Sequence, residues 1–487
     1  MKAKRQVSFG WIVPIILTLT AASCKKAAVP STATGTESQA AADASSSTGT
    51  TQDRVAWNLK TLVDSYKQAG HTNSKWDASA IRAFTEFARA HGGAITVTNE
   101  PWGQIISTNV AVAIQAGCDD PMVRYLFVKF SLDQTNSRET FADDYCQAAL
   151  GMQNSSYPPI RKYYAAQRAL DQLYYTYGYG TNVEQLHPMF GKMMALIGPN
   201  ILGALNDKSM PAEEAFEACD AVLTSMKGEG IPDYAAYSQA YSCMEGPMFQ
   251  NWPNAYTTWL LKGEAYVQIA WGARGTGYAD TVTPQGWKLF SQRLAVAENA
   301  LTNAWRGNTN DSRIADHMLE VELGQGEGRD RLELWFDRAM ALYPCDYDAC
   351  CTKLAYLQPK WYGSVGDMLE FGRECATNTQ WGGNVPLTLL DAHYFISYMY
   401  TNQTDQDNYW KRPEVWPDLQ TAYERYFQAN PDAIGRYGQY AFYAYKCGQW
   451  KKFLEIIPKF GPRSYDYLGS RDQFDKMVAT AKQNVGS

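Results

Sequence analysis

The chain has 487 residues, of which 44 are basic and 50 acidic, so its formal net charge at neutral pH is −6. With 45% hydrophobic residues and a mean hydropathy of −0.39, it can form two or three globular domains or one long repeat array. Nucleic-acid binding requires a basic stripe, which this mildly acidic balance does not favour. We therefore predict a soluble globular body with no nucleic-acid partner.

The N-terminal segment 1–23 is organised like a signal peptide. Lys2, Lys4 and Arg5 give a positive start, and the apolar stretch 9–22 follows. A helix that spans a bilayer needs roughly 20 apolar residues, so this stretch is too short for a permanent span. We predict that this segment directs export and is removed.

Small residues precede Cys24 in the run Ala21-Ala22-Ser23-Cys24. This run resembles the lipobox of bacterial lipoproteins, although Ala21 stands where such boxes usually carry Leu. The resemblance implies that Cys24 carries diacylglycerol and becomes the mature N-terminus. The lipid would then anchor the chain in a membrane that faces the periplasm, either the inner or the outer one. The alternative is ordinary secretion, with Cys24 incidental.

Residues 24–52 are predicted to form a disordered tether. From Ala27 to Gln52 the chain consists mainly of Ser, Thr, Ala and Gly, and its only charged residues are Glu37 and Asp43. Such a segment cannot bury enough apolar area to offset its chain entropy. A flexible coil after a lipidated cysteine would let the folded body stand off the membrane surface.

Nine cysteines follow Cys24, and export would permit them to form disulfides. Three pairs have a separation in sequence that can bring two antiparallel helices of one hairpin side by side. These pairs are Cys118 with Cys146, Cys219 with Cys243, and Cys345 with Cys375. The sequence does not fix the connectivity, and the alternative is free cysteine buried in the core. Structural zinc is not predicted, because the cysteines between 345 and 375 lack paired C-x-x-C spacing.

The body is predicted to be all-α. Between Lys288 and Trp305 the apolar residues follow the three-and-four spacing of one helix face, and the stretch 331–343 repeats this pattern. The apolar face of the first stretch consists of Phe290, Leu294, Ala297, Leu301 and Ala304. We divide the body into an N-terminal helical domain, 53–251, and a repeat domain, 252–487, with a soft boundary near Trp252.

A weak repeat runs from about 286 to 458, with an insertion between 382 and 417, and its period is close to that of the tetratricopeptide repeat. Trp335 and Leu369 are one such period apart, as are Leu419 and Phe453. The segments 335–344 and 423–431 resemble the end of the first helix of the tetratricopeptide repeat. This resemblance implies a right-handed superhelix of stacked antiparallel helix pairs, an α-solenoid with a concave groove. The stretch 271–364 also resembles a little-characterised group of bacterial repeat proteins, which adds little about function.

Candidate groove residues are Arg274, Asp280, His317, Trp361 and Tyr362. Arg274 lies in a Gly-rich stretch that lacks the preceding strand and the Lys-Ser/Thr of a phosphate loop. Its guanidinium could bind a carboxylate or phosphate, or it could pair with Asp280. His317 shares a predicted helix face with an acidic residue, and that face is either solvated or lines the groove. Trp361 and Tyr362 could stack on a sugar or peptide, or pack between helices.

No catalytic constellation is found, because the sequence contains neither G-x-S-x-G nor H-E-x-x-H. We therefore predict no enzyme activity, no cofactor and no metal. The expected function is a lipid-anchored protein-interaction scaffold on the periplasmic side of a membrane. One alternative is capture of a glycan or small ligand through aromatic groove residues. Another is an enzyme on a helical scaffold, which would require Arg274, His317 and a carboxylate to converge on one pocket.

Overall fold

The computed structural model describes residues 37–94, 101–131, 137–178, 185, 187–227, 234–461 and 464–486. These residues form 21 α-helices and a few short 3₁₀ turns, and none of them lies in a β-strand. The all-α prediction is confirmed, while the handedness of the superhelix stays a prediction. The proposed signal peptide, Cys24 and the tether up to residue 36 lie outside the described residues.

The body consists of two compact units, which are divided in sequence between Gly272 and Ala273. The helices of the first unit are α1 (Glu37–Gln68), α2 (Asp77–His91), α3 (Trp102–Gln115), α4 (Pro121–Ser131), α5 (Arg138–Gln153), α6 (Pro159–Tyr177), α7 (Met189–Ala204), α8 (Ala212–Ser225), α9 (Tyr234–Asn251) and α10 (Tyr256–Arg274), whose end crosses the division. Those of the second unit are α11 (Pro284–Gly307), α12 (Ser312–Gln325), α13 (Arg329–Leu342), α14 (Tyr347–Tyr356), α15 (Val365–Thr377), α16 (Thr388–Ser397), α17 (Gln403–Tyr409), α18 (Val415–Ala429), α19 (Tyr437–Lys446), α20 (Trp450–Ile456) and α21 (Arg471–Val485).

The division between the units lies about one helix beyond the boundary predicted near Trp252. Trp252 is buried, and its indole N–H donates to the carbonyl of Met210 at 2.9 Å. Within α10, Glu264 forms an ion pair with Lys227, which follows α8, at 2.9 Å. These contacts join Trp252 and α10 to other parts of the first unit.

The first helix begins at Glu37, within the segment predicted to be a disordered tether. Residues 37–52 are therefore helical in the structure rather than coil. No proline lies between Pro30 and Pro101, so nothing blocks a helix that is nucleated by the amphipathic stretch 53–68 from extending towards the N-terminus.

The predicted helix face between 288 and 305 is confirmed, since every apolar residue assigned to it is buried in α11. This helix begins at Pro284, and the side chain of Thr283 caps it by accepting the N–H of Gly286 at 3.0 Å. Within the second unit, helices pack against their neighbours in sequence and also against the next but one. For example, α12 contacts both α13 and α14. This pattern is typical of stacked helix pairs.

A buried carboxylate joins four helices of the first unit. Glu214 of α8 is fully buried, and its two oxygens accept hydrogen bonds from α1, α2 and α6. The partners are Arg54 at 3.1 Å, Asn58 at 3.2 Å, His91 at 2.9 Å and Tyr164 at 2.7 Å. Burial opposes ionisation of Glu214, but the bond to His91 and the positive charges around it hold the pKa of this carboxyl well below its ordinary value.

Arg161 of α6 lies beside this carboxylate with its guanidinium buried. Its Nη2 donates to Asn58 Oδ1 at 2.5 Å and to the Thr61 hydroxyl at 2.9 Å, whereas Nε and Nη1 find no hydrogen-bond partner in the described chain. Burial lowers the pKa of Arg161, and the negative charge of Glu214 opposes that shift. The opposite charges of Arg161 and Glu214 therefore offset part of the free energy that burying each of them costs.

Replacing Glu214 with Gln preserves the size of the side chain and removes the anion shared by Arg54 and Arg161. We expect Glu214→Gln to lower the free energy of unfolding of the first unit at neutral pH by about 3–5 kcal/mol, the usual effect of breaking a buried ion pair. Urea unfolding followed by circular dichroism measures this change. The control is Asp64→Asn, which breaks an exposed pair with Lys60 on α1 and should change the same quantity by less than about 1 kcal/mol.

The effect of Glu214→Gln should depend on pH in a defined direction. Because the folded-state pKa of Glu214 is depressed, its stabilisation is present above the unfolded-state pKa of about 4.3 and is lost as the pH falls below that value. The gap in unfolding free energy between the native chain and the variant should therefore narrow in acid. An equal gap at neutral pH and at about pH 3 would show that the charge of Glu214 is not the cause.

Candidate functional site

The second unit contains a small, mostly apolar cavity of about 280 Å³, which we call the Tyr409 pocket. Its apolar lining comes from α15, α16 and the turn after α16, its aromatic lining from that same turn and the last residue of α17, and its charged residues from the turn before α18. The lining residues are Val365, Leu369, Ile396, Met399, Tyr400, Tyr409, Arg412 and Glu414. One cation and one anion thus accompany a predominantly apolar wall.

Side-chain caps define where the helices around the pocket begin. The Ser364 hydroxyl accepts the backbone N–H of Asp367 at 3.2 Å, which starts α15 immediately before the lining residue Val365. Asn402 Oδ1 accepts the N–H of Asp405 at 2.9 Å and starts α17. This helix is short and ends at Tyr409, so its cap fixes the position at which the Tyr409 ring enters the lining.

A chain of buried polar groups holds Tyr409 in place. The imidazole of His393 is fully buried, with Nδ1 at 2.7 Å from the Tyr409 hydroxyl and Nε2 at 3.1 Å from Asp418 Oδ2. Arg373 forms an ion pair with the same carboxylate at 2.8 Å. The chain thus connects α15, α16, α17 and α18 through side chains alone.

The charge of Asp418 sets the direction of these hydrogen bonds. Burial raises the pKa of Asp418, but the bonds from His393 and Arg373 outweigh burial and leave it below its ordinary value. Because a carboxylate only accepts hydrogen bonds, Nε2 of His393 carries the proton that points at Asp418, while Nδ1 and the Tyr409 hydroxyl share the second hydrogen bond. Burial also raises the pKa of Tyr409, so its hydroxyl remains a donor.

At the pocket, Arg412 lies against two tyrosine rings. Its guanidinium carbon is 5.4 Å from the ring centroid of Tyr400 and 5.1 Å from that of Tyr409, and its Nη2 donates to the Tyr400 hydroxyl at 2.6 Å. Glu414, which follows shortly in the chain, is exposed and makes no hydrogen bond or salt bridge within the described chain. The remaining N–H donors of Arg412 and the carboxylate of Glu414 are therefore available for hydrogen bonds beside the cavity.

Several large apolar side chains around the same helices are exposed to solvent. Their exposed fractions are 36% for Tyr394, 37% for Phe395, 50% for Tyr398, 43% for Met399 and 38% for Val365. Met399 and Val365 also line the Tyr409 pocket. Clustered exposure of this kind is more typical of an interaction surface than scattered single residues are.

Three of the five sequence-predicted groove residues come together at a different place in the second unit. The guanidinium carbon of Arg274 is 5.3 Å from the Trp361 ring centroid, and the charge of Arg274 acts on the hydroxyl of Tyr362. Nη1 of Arg274 donates to the carbonyls of Gly275 and Gly277 at 3.0 and 3.1 Å. Asp280 lies nearby in the exposed 3₁₀ turn Ala279–Thr281. At least one nitrogen of the Arg274 guanidinium is thus hydrogen-bonded to the turn that directly follows Arg274.

The Tyr362 ring is accommodated by a glycine. Gly326 has φ +67° at the end of α12, a conformation that L side chains rarely adopt, and a Cβ atom there would collide with the Tyr362 ring and hydroxyl. Tyr362 also packs against Tyr356 with 4.6 Å between ring centroids. Tyr362 thus packs on Tyr356 and Gly326 with part of its surface, and 46% of the residue remains exposed.

His317 lies in an acidic region of α12. Its Nδ1 is 3.0 Å from Glu320 Oε1, and the preceding residue, Asp316, has its pKa raised to about 8 by burial and by the charge of Asp346. None of the five predicted groove residues lines the Tyr409 pocket. Sequence analysis missed His393, Tyr409, Arg412, Glu414 and Asp418. The signal that pointed to most of them was the insertion at 382–417, which interrupts the repeat.

The three predicted hairpin disulfides are not formed. Cys118, Cys146, Cys219, Cys243 and Cys375 are all free thiols, so no predicted pair is bonded. The spacing argument fails because the segment between the cysteines of two of the pairs contains a whole intervening helix, α4 or α14, rather than one turn. In the third pair Cys219 is buried and Cys243 exposed, so their side chains face different surroundings.

Comparison of the chain with models of known protein families finds no match, and a search of curated proteins finds no relative. In the part of the chain that the structure describes, no helix is both long and apolar enough to cross a bilayer. Across the same residues, no group of three or more His, Cys, Asp or Glu side chains is placed to hold a metal ion.

The free thiols predict the order in which cysteines react. We expect a maleimide to label Cys243 first in the folded chain, because it is exposed, whereas burial raises the thiol pKa of Cys118 to about 11 and that of Cys146 to about 12. Peptide mapping after a short labelling pulse measures the order. Unfolding in urea is the control and should equalise the rates. A disulfide-linked Cys118–Cys146 peptide in the unreduced chain would contradict the prediction.

Proposed function

We propose that this chain is a protein-interaction scaffold that binds a segment of a partner polypeptide at the Tyr409 pocket. In this binding mode one large apolar side chain of the partner enters the cavity. The aromatic residues around α16 cover its flanks. The observation that carries the proposal is the size of the pocket combined with its two charged residues.

The size of the cavity favours one side chain over a whole ligand. The Tyr409 pocket encloses about 280 Å³, at the lower limit of the about 300–1,000 Å³ that sites for small molecules usually enclose. A pocket of this size suits a single anchor residue such as Leu, Met or Phe. Anchor residues of this kind, set in pockets and surrounded by weaker contacts, supply most of the binding energy in protein interfaces.

The two charged residues of the pocket, Arg412 and Glu414, can form hydrogen bonds with the main chain of any polypeptide. A peptide backbone carries one N–H donor and one carbonyl acceptor per residue. The Glu414 carboxylate can accept a hydrogen bond from a backbone N–H. The remaining N–H groups of the Arg412 guanidinium can donate to a backbone carbonyl. A partner segment could therefore be held by its main chain while its side chain fills the cavity.

The polar chain behind Tyr409 supports a binding role. His393 is fully buried, so its imidazole does not reach a substrate in the way a general base must. Its two hydrogen bonds instead fix the Tyr409 ring before any partner arrives. A wall that is already rigid loses little entropy on binding, which increases affinity.

Filling the cavity should abolish partner binding. When a random library of displayed short peptides is selected for binding to the full chain, we expect the selected peptides to share one large apolar residue. We also expect Leu369→Trp, which fills the pocket from α15, to weaken their binding by at least about tenfold, equivalent to about 1.4 kcal/mol. Isothermal calorimetry with the synthesised peptides measures the change. Met399→Asp, at an exposed lining position, is a second variant that leaves the core intact.

The matched control is Leu334→Trp, which introduces the same ring at an exposed position on α13 that does not line the pocket. It should leave peptide affinity within about twofold of the native chain. Selected peptides that bind the native chain and both pocket variants equally would refute the proposal. Oligosaccharides that bind the native chain and are lost with Leu369→Trp would assign the pocket to glycan capture instead.

We further propose that the scaffold is tethered to a membrane through lipidated Cys24, on the periplasmic side. The support is the lipobox-like run before Cys24 and the positive and apolar segments that precede it.

Replacing the cysteine should release the chain from the membrane. We expect the full chain, produced in a bacterial host, to sediment with membranes and to label with a fatty-acid probe, and Cys24→Ala to lose both properties. Cys243→Ala is the control and should behave like the native chain. If the native chain and Cys24→Ala fractionate alike, lipid anchoring at Cys24 is refuted, and the peptide-binding proposal is unaffected.

A further inference from the structure

Three exposed aromatic side chains of α16 and the turn after it, Tyr394, Phe395 and Tyr398, form a row that adjoins the Tyr409 pocket. We call them the aromatic row. The ring centroid of Tyr394 is 4.6 Å from that of Tyr398 and 5.9 Å from that of Phe395. Met399, the next residue in the chain, lines the pocket itself. A segment bound at the pocket can therefore also contact the rings of the row.

The polar groups beside the pocket include several hydrogen-bond donors but one carboxylate. Arg412 uses Nη2 to donate to the Tyr400 hydroxyl, which leaves its other N–H groups for a ligand. Tyr394 and Tyr398 are hydrogen-bonded to each other, so one of their two hydroxyl protons remains available. The carboxylate is that of Glu414. These groups match a segment that offers many carbonyls and few N–H groups.

We propose that the partner segment is rich in proline, adopts the polyproline II conformation and carries one large apolar anchor residue between its prolines. This inference rests on the peptide-binding function proposed above and names the class of partner. Proline has a carbonyl but no backbone N–H, so its carbonyls accept hydrogen bonds from Arg412 and the tyrosine hydroxyl. The anchor residue, which is not proline, supplies the backbone N–H that Glu414 accepts.

Two other conformations of a partner segment fit these groups less well. In an α-helix the main-chain groups are bonded to one another except at the two ends, so Arg412 and Glu414 would meet few free partners. An added β-strand needs an exposed sheet edge, and the residues that the structure describes contain no strand. Polyproline II has no internal hydrogen bonds and leaves its main chain free.

The spacing of the aromatic row also suits this conformation. Tyr394 and Tyr398 are about one helical turn apart, which corresponds to about 6 Å along the axis of α16. Polyproline II advances about 3.1 Å per residue, so two residues span this distance. Proline-rich segments are already extended before they bind, and aromatic-lined grooves exploit this low entropic cost. Prolines of the partner thus pack on the row while its anchor enters the cavity beside Met399.

Two labelled peptides that differ only in the residues around the anchor test the proposal. One has a leucine with three prolines on each side, and in the other alanines replace all six prolines. Fluorescence anisotropy with the full chain measures both dissociation constants. We expect the proline peptide to bind at least about tenfold more tightly, because it is pre-organised and its rings pack on the aromatic row. Replacing its leucine with alanine should weaken it by a similar factor.

A variant of the chain separates contact with the row from a general effect of stiff peptides. Tyr398→Ala removes one exposed ring and should weaken the proline peptide several-fold while leaving the affinity for the alanine peptide unchanged. Tyr343→Ala is the matched control and should change neither affinity. Tyr343 is exposed to the same extent, 50%, but neither belongs to the row nor lines the pocket.

The outcomes distinguish this inference from the proposed function on which it rests. Equal affinities for the two peptides, both lost with Leu369→Trp, would overturn the proline inference and support the peptide-binding function. An affinity for the proline peptide that Tyr398→Ala leaves unchanged would also overturn the inference. So would a proline peptide that does not bind the native chain, and in that case the peptides selected from the random library decide the proposed function independently.

Discussion

The packing of the first unit depends on a buried, ionised carboxylate, that of Glu214, which shares Arg54 with Glu217 on the same helix. Arg54 and Arg161 are buried beside it, and a buried guanidinium without a nearby anion is strongly unfavourable. Because the partners of Glu214 come from α1, α2 and α6, separating any of these helices from α8 removes a hydrogen bond to a buried carboxylate. Arg54 lies far from Glu214 in sequence and meets it only in the folded chain. The network therefore fixes which helices pack together, a specificity that apolar packing alone supplies less sharply.

The second unit uses a buried polar chain for a different purpose. Arg373, Asp418 and His393 also connect several helices through one carboxylate, but their chain ends on Tyr409, whose ring lines a cavity. A ring held by a buried hydrogen bond has little freedom, and the aromatic wall is therefore set before a partner arrives. The stabilising network and the binding surface are continuous here, so a change at Asp418 would affect both stability and affinity.

The helices could be predicted from sequence because their signal is local. The apolar face of α11 repeats every three or four residues, and all of its members are buried as expected. The polar networks could not be predicted from sequence, because their members are distant in sequence and meet only when the helices pack. Examples are Arg54 with Glu214 and Arg373 with Asp418. The Tyr409 pocket was missed for a related reason, since much of it is built by an aperiodic insertion between repeats. Arg274 was singled out by its glycine-rich surroundings, but its Nη1 is engaged by the carbonyls of its own turn.

The many aromatic rings place cations in similar surroundings with different chemical consequences. Lys353 lies 4.0 Å from the Phe336 ring centroid and 4.5 Å from that of Phe371, and it also has Glu333 as an ion-pair partner. Lys129 lies farther from its two phenyl rings, at 5.3 Å from the Phe87 centroid and 5.6 Å from that of Phe130, and the charge that acts on it is that of Arg168. Rings attract a cation only modestly, by about 0.5–2 kcal/mol. The sign of the neighbouring charge therefore decides whether a cation packed on rings is stabilised or destabilised by its electrostatic surroundings.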